Sequence, residues 1–340
     1  MRKIRIEDAV GMVLGHDVTQ IIPGKYKGPR FKRGHKIRKE DIPEFLKIGK
    51  EHIYIMDLKP GIIHEDDAAL RLGRAFAGKN IDISGPSEGK VTFHSKINGV
   101  LKINVPLLHR INLSKNVILS TIHRYTPCSP RMAVGATRII SLMAPEKQIK
   151  SVENWCQKDG PVIEILPYRK WNIGVVVTGS EIFHRRIKDS FDERVGKKVV
   201  GLGSRVMRKL VVLDEINQIS KALFDLREDS IDLILVTGGL SVDPDDVTRA
   251  GLRKAGAKII FYGTPILPGA MFLYGMLREK PVLGLPACVF HHNATLFDLI
   301  FPRILAGEVL NRKEISLLGH GGFCRSCDPC HFPVCAFGKG

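Results

Sequence analysis

Asp232-Leu-Ile-Leu-Val-Thr-Gly-Gly-Leu-Ser-Val-Asp-Pro-Asp-Asp-Val-Thr-Arg-Ala-Gly251 decides how the chain is read. Leu233–Val236 is a short apolar run, of the length and character of a strand buried on both faces. Thr237-Gly238-Gly239 interrupts it. Paired glycines reach dihedrals closed to other residues and let a ligand approach the main chain. Ser241, Asp243, Asp245, Asp246 and Thr248 follow. Asp243 suits the N-cap of a helix with Pro244 in its first turn. The periodic segment Val247–Ala255 continues that helix and Gly256 ends it. The order is thus strand, glycine turn, acidic loop and helix. In an open α/β sheet such a turn lies at the carboxyl end of a strand, where ligands bind. Its N–H groups favour an anion. Three carboxylates would repel a bare phosphate, so Mg²⁺ is expected between them and the anion. On the residues alone, a capping Asp243 with the other acids solvated is an equal reading.

Outward from this stretch, strands and helices alternate from Trp171 onward. Strands are expected at Ile173–Thr178, Val206–Leu213, Ile231–Val236, Lys258–Phe261 and Pro281–Gly284. Helices are expected at Asp192–Gly201, Glu215–Leu226 and Val289–Leu305. This pattern gives an α/β fold, a three-layer and mostly parallel sheet. Thr178-Gly179-Ser180-Glu181 ends one strand as Thr237-Gly238-Gly239 ends another, and both turns can offer main-chain N–H groups to an anion.

Upstream the reading is of a β-rich or α+β accessory region. Four parts are expected: a β-rich region at 1–57, an accessory α+β domain at 58–168, the α/β domain at 169–310, and a cysteine-rich tail at 311–340. Arg38–Gly49 reads as a short helix stopped by its glycine, and His52–Met56 as a strand. Glu65–Gly78 reads as an amphipathic helix with Ala69, Leu70 and Phe76 on one face. Ile97–Ile103 suggests a hairpin at Asn98-Gly99. Val117–His123 is a strand candidate, Glu146–Gln157 a helix, and Pro161–Pro167 a strand and linker.

The run Thr237–Thr248 resembles the signature of the molybdopterin-binding domain. That domain is shared by molybdopterin adenylyltransferases, molybdopterin molybdenumtransferases and competence/damage-inducible-type proteins. Val175-Val-Val-Thr-Gly-Ser-Glu181, Pro268-Gly269 and Gly284-Leu285-Pro286 resemble three further turns of the family, in the family's order. The resemblance implies molybdenum-cofactor biosynthesis. The ligand would be molybdopterin or its adenylylated form, and molybdate would be inserted with release of AMP. It assigns catalytic carboxylates to Glu181 and Asp246. It places the ligand against Thr178, Gly179, Ser180, Asp189, Thr237, Gly238, Gly239, Ser241, Asp245, Thr248, Pro268, Gly269 and Pro286. Mg²⁺ between phosphoryl oxygens would support the chemistry.

Several positions depart from the family. Ala270-Met271 stand where it has Lys-Pro, Ala287-Cys288 where it has Gly-Asn, and Phe191 where it has Asn. The molybdenumtransferases' accessory Thr-Gly-Ala-Pro segment has no counterpart here. These losses leave a non-catalytic cofactor carrier for a client molybdoenzyme as one alternative. A nucleotide pyrophosphatase of the competence-inducible type is another. Cys288, at the mouth of a helix, is either a thiol of lowered pKa able to meet a metal with His291 and His292, or a small buried residue.

The chain carries 52 Lys+Arg against 35 Asp+Glu, a formal charge of +17. That surplus suits anionic ligands. No nucleic-acid-binding motif accompanies it, and a solvated basic face explains the Lys25–Lys50 cluster. The opening Met1-Arg-Lys-Ile-Arg-Ile-Glu-Asp lacks the apolar core of a secretory leader. Phe261–Leu277 is uncharged but broken by prolines and glycines, so no membrane span is expected. A cytoplasmic location follows, and relatives of this kind form homo-oligomers. Cys324-x-x-Cys327-x-x-Cys330-x-x-x-x-Cys335 supplies four closely spaced thiols beside His331. Such spacing suits Zn²⁺ or an iron–sulfur cluster.

Overall fold

The computed structural model describes residues 2–55, 60–228, 230–241 and 247–339. These divide into two compact units. The first comprises residues up to Lys96, with Lys102–Ile122 and Pro130–Ile165. The second comprises Ile97–Leu101, His123–Ser129 and the residues from Leu166 on.

In the first unit, strand Arg2–Arg5 pairs antiparallel with His52–Ile55. Ile6, Leu14, Phe31, Phe45 and Ile53 form a small core there, with Phe31 and Phe45 stacked at 4.0 Å. The helix expected before Gly49 spans Ile42–Lys47. Further along, an antiparallel sheet runs in the order Ile81–Ser87, Lys90–Ser95, Ala133–Ile139 and Val117–Thr121. Helix Glu65–Phe76 packs on it. Its buried face is Ala69, Leu72, Gly73 and Phe76, so Leu72 takes the place expected for Leu70, which is half-buried. Arg71 joins this helix to Glu146–Asp159, with Glu153 at 2.6 Å and Glu146 at 3.0 Å.

The hairpin expected at Asn98-Gly99 is absent. Gly99–Ile103 pairs with Pro127–Cys128 instead. The two-residue hairpin loop of this region is Glu88-Gly89, between paired Ser87 and Lys90, with φ of 50° and 70°. Two positive dihedrals match the twist of the flanking strands.

The second unit holds a six-stranded sheet. Its order is Arg205–Val212, Asn172–Thr178, Leu233–Thr237, Lys280–Leu285, Leu273–Leu277 and Lys258–Tyr262. The first four strands are mutually parallel and the last two antiparallel. Alternate residues of the Asn172–Thr178 strand enter two cores: Ile173, Val175 and Val177 on one face, Val176 on the other. Helix Leu296–Leu305 and the segment with Phe191, Val195 and Val199 cover the first face. Helices Ile216–Glu228 and Thr248–Lys254 cover the second, through Ile219, Leu223, Leu226 and Leu252. Each fully buried Leu or Phe contributes about 1.5–3 kcal/mol of transfer free energy, which is why a sheet apolar on both sides takes a helix layer on each.

Two differences from expectation belong to this unit, the Leu273–Leu277 strand and a divided helix. Leu273–Leu277 is a strand inside the uncharged stretch, where none was expected. Among the described residues no helix is long and apolar enough to cross a membrane. The expected helix Val289–Leu305 is two, Cys288–His291 and Leu296–Leu305. Thr295 and Asp298 form a capping box, Thr295 N donating to Asp298 Oδ2 at 2.8 Å, and this restarts the helix. Asp243 and Pro244, expected to open the Thr248–Lys254 helix, lie outside the described residues.

Candidate functional site

Three strand ends stand beside the Asn172–Thr178 strand or its neighbour at one edge of the sheet. Thr178 is opposite Val212, Val177 opposite Thr237, and Thr237 opposite Leu285. Asn172–Thr178 is flanked by its successor Arg205–Val212 on one side and by Leu233–Thr237 on the other. The connection leaving Thr178 covers one face, through Phe191, and the one leaving Thr237 covers the other, through Leu252. The two connections therefore part at this edge. In open α/β sheets that switch point opens a crevice at the carboxyl ends of the strands, where ligands bind.

Thr178 is 3% exposed, and its Oγ1 has no hydrogen-bond partner among the described residues. It faces the glycine turn: a Cβ at Gly238 would lie 2.5 Å from this oxygen and 2.2 Å from the Thr178 carbonyl oxygen. Gly238 and Gly239 have φ of 92° and 55°, dihedrals that side chains disfavour. Glycine at 238 and 239 therefore meets both a backbone and a steric demand. Among the described residues no main-chain partner takes the N–H of either glycine.

The first turn differs from expectation. Gly179 N donates to Val212 O at 3.2 Å, and Ser180 N donates to Asp214 Oδ2 at 3.0 Å. These N–H groups brace the turn and are not turned toward an anion. What the turn offers is the Thr178 hydroxyl and the exposed Glu181 carboxylate. Glu181 folds back over the backbone, for a Cβ at Gly179 would lie 3.0 Å from its Oε1. Among the described residues it has no cationic partner, so its oxygens are open to a hard cation.

Thr248, expected among the ligand contacts, sits against the glycine turn. It is fully buried, and its hydroxyl donates to Gly238 O at 2.9 Å. It holds the glycine turn in place. Thr237 is likewise buried within its strand. Ser241 is exposed at the start of the acidic loop. Beside it the Tyr262 hydroxyl donates to Leu240 O at 2.8 Å, with Arg249 stacked on the Tyr262 ring at 4.4 Å. Asp245 and Asp246 lie outside the described residues.

Asp189 is held by its own chain. Its Oδ1 accepts from Phe191 N at 2.8 Å and its Oδ2 from Lys209 Nζ at 2.8 Å. Burial opposes the Lys209 charge, yet the Asp189 and Asp192 carboxylates raise its pKa overall. Phe191 is fully buried in the core.

An open pocket of about 520 Å³ adjoins Asp189, lined among others by Phe183, Arg185, Arg186, Ile187 and Lys188. Phe183 and Ile187 are 43% and 54% exposed. Lys188 pairs with Glu193 at 2.6 Å, whereas Arg185 and Arg186 have no carboxylate partner among the described residues. This combination of apolar surface and free guanidinium suits a flat heterocycle bearing a phosphate. The sequence reading missed both arginines. Their signal was a dibasic pair four residues beyond Glu181, in a loop that follows a buried strand.

The remaining turns gather at the same edge. Tyr262 pairs with Leu273, and Leu273 with Gly284, so the loop between Tyr262 and Leu273 lies beside the end of the Lys280–Leu285 strand. Within it, Thr264 Oγ1 donates to Gly269 O at 3.0 Å, and Pro268 O accepts from Leu296 N at 3.2 Å. Pro286 O accepts from Val289 N at 3.1 Å. Pro268 and Pro286 are half-buried and Gly269 is buried. Cys288 does not have a lowered pKa. Burial pushes the thiol up, and Asp298 adds to it.

Among the described residues no three His, Cys, Asp or Glu side chains are drawn around one point as a metal ion would hold them. Cys324, Cys327, Cys330 and Cys335 instead line a single cavity. His291 and His292 line it as well, so they join the tail and not Cys288.

Fold and crevice define an α/β ligand-binding domain of the open-sheet class. Residues 174–306 match the family described as a probable molybdopterin binding domain, and this part of the chain is a domain of that family. Residues 3–57 match a domain of unknown function. A candidate molybdopterin biosynthesis protein of Methanocaldococcus jannaschii is 27% identical over 164 residues, 43% of this chain and 39% of that protein. The molybdopterin molybdenumtransferase of Haemophilus influenzae is 29% identical over 150 residues, 42% of this chain and 37% of the enzyme. The chain thus matches well under half the length of these curated relatives. The crystal structure of a CinA protein of unknown function from Thermoplasma acidophilum is 21% identical and covers 40% of this chain and 98% of its own, with a TM-score of 0.35.

Proposed function

We propose that this chain works in molybdenum-cofactor assembly by holding adenylylated molybdopterin in the crevice between the Thr178 and Gly238–Gly239 turns, and that it inserts molybdate with release of AMP. The buried, unpartnered Thr178 hydroxyl facing the glycine turn carries this reading, because a buried hydroxyl without a partner costs about 1–3 kcal/mol and a ligand at that edge would relieve it. Arg185 and Arg186 would take the phosphate charge, and Phe183 and Ile187 the face of the pterin.

Mg²⁺ fits the hard carboxylate oxygens of Glu181 at this edge; the family resemblance gives Asp246 as its second carboxylate, and the ion would neutralise charge on the phosphoryl oxygens. Thr248 and Asp214 fix the two turns, so the donors meet the ligand with little reorganisation. In the overall conversion the two dithiolene sulfurs displace one oxygen of molybdate, which leaves as water with the thiol protons, and one water adds across the phosphoanhydride, giving the pterin phosphate and AMP.

A second reading, a carrier without insertion activity, draws support from the first turn. Its two N–H groups are engaged by the chain itself, and Ala270 stands where the family has a lysine. Anaerobic incubation of the full chain with adenylylated molybdopterin, Mg²⁺ and molybdate, followed by mass spectrometry of AMP, separates the two. Molybdate-dependent AMP release that Asp246→Asn removes is the expected result. Stoichiometric binding with no AMP would overturn insertion and leave the carrier.

A further inference from the structure

The four tail cysteines and the domain's own helix turn meet around one hollow. The cavity measures about 260 Å³, and Cys324, Cys327, Cys330 and Cys335 all line it. His331 of the tail and His291 and His292 of the domain complete its ring of soft donors. This is no loose peptide. Cys324 N donates to Leu267 O at 2.8 Å, and Leu267 N to Gly322 O at 2.9 Å, so the tail is laid against the residue before Pro268. Gly338 N donates to Gly321 O at 2.9 Å and closes the far end. Phe337 is buried in the main core, and Cys324, Phe332 and Cys335 pack against it. Inside the loop Ser326 takes φ of 51°, which bends the chain between Cys324 and Cys327.

The shared cavity and the spacing of the cysteines favour a guest larger than a single ion. Zinc bonds sulfur at about 2.3 Å, so four tetrahedral thiolates would stand about 3.8 Å apart around a point. Here the four cysteines share the lining of one cavity, and among the described residues no three of them converge as a single ion would require. A guest of several atoms fits such a space, and Cys-x-x-Cys-x-x-Cys is the spacing by which thiolates wrap an iron–sulfur cluster. Cys327 and Cys330 are exposed, while Cys324 and Cys335 are half-buried, so the ring has a solvent side and a core side.

We infer that the tail binds one [4Fe–4S] cluster, with Cys324, Cys327, Cys330 and Cys335 as the iron ligands. His291, His292 and His331 supply N–H donors around its sulfurs, and such bonds tune the reduction potential of a cluster. Because His291 and His292 belong to the turn that follows the Lys280–Leu285 strand, the cluster belongs to the folded domain and lies at the sheet edge that bears the ligand crevice. This inference does not depend on the ligand proposed for that crevice.

The test uses the full chain isolated without exposure to oxygen. Iron, zinc and acid-labile sulfide are measured per chain, with the visible spectrum before and after dithionite. The expected result is about four irons and as many sulfides, with charge-transfer absorption that bleaches on reduction. Cys330→Ser should lose most of the iron. His292→Ala should keep it but shift the midpoint potential, a readout that a merely structural role would not move. One zinc per chain without sulfide would overturn the cluster, as would wild-type protein carrying no stoichiometric metal. Since these outcomes are read on the wild type, they stand whether or not Cys330→Ser folds.

Discussion

The glycine turn at Gly238-Gly239 and the cysteine loop from Cys324 to Cys335 lie in the same unit and are built in opposite ways. The glycine turn is shaped by its own chain: Thr248 braces it from below, and the Thr178 carbonyl oxygen stands too close for any side chain at Gly238. The cysteine loop is anchored at its ends but hollow at its centre. A site made of backbone is complete before its ligand arrives. On the inference above, a site made of thiols waits for the group that its thiolates bind, and metal binding there would couple to folding.

The largest effect expected from this contrast is in Gly238→Ala. The left-handed dihedral alone costs about 1–3 kcal/mol, and the clash with the Thr178 carbonyl oxygen adds to it. Thermal unfolding should fall by many degrees. Cys327→Ser in iron-free protein should move stability by less than about 0.5 kcal/mol, because the residue is exposed. Equal losses in the two variants would break the comparison.

Next in size is Arg186→Ala, with Arg185→Ala close behind. A hydrogen bond to a charged group contributes about 1.5–3 kcal/mol, so the dissociation constant of a phosphate-bearing pterin should rise at least about tenfold. Added salt should weaken wild-type binding more than binding to the variant. Calorimetry at two ionic strengths checks both statements.

Thr178→Val gives a smaller and sharper result. Removing an unpartnered buried hydroxyl should leave stability unchanged or slightly higher, while ligand binding falls several-fold. A stability loss above about 2 kcal/mol would show that the hydroxyl already serves the fold.

The smallest effect is a control in the first unit. His64 is buried, with Nε2 2.8 Å from Gly15 O. Burial, with Arg33 assisting, lowers its pKa below 6.5, and burial lowers that of His16 too. Well above pH 6.5 these rings are neutral in both states and contribute no pH dependence. Below it the unfolded chain takes up protons that the fold resists, so stability falls with pH until the folded pKa is passed. His64→Gln should flatten the slope of a denaturant midpoint measured from pH 7 to 5.

The parallel sheet was legible because its strands are apolar on both faces and its turns carry glycine where the backbone demands it. The split at Thr295 was not, since the apolar run reads through it and only the pairing of Thr295 with Asp298 marks the restart. The glycine turn was legible for the same reason it is rigid. The hydrogen bonds within the site were less so: nothing local in the sequence shows that the Thr248 hydroxyl meets Gly238 O or that Asp189 meets Lys209. Hydrogen bonds between residues far apart in the chain leave no local pattern. Arg185 and Arg186 went unnoticed because a dibasic pair in a loop reads as solvated charge.

Anaerobic titration of the full chain with molybdopterin, comparing wild type, Arg186→Ala and Thr178→Val, tests the crevice most directly. The predicted result is saturable binding of one ligand per chain by the wild type, weakened in both variants while their folds remain intact. Unchanged affinity in both variants, or no binding by the wild type, would contradict it.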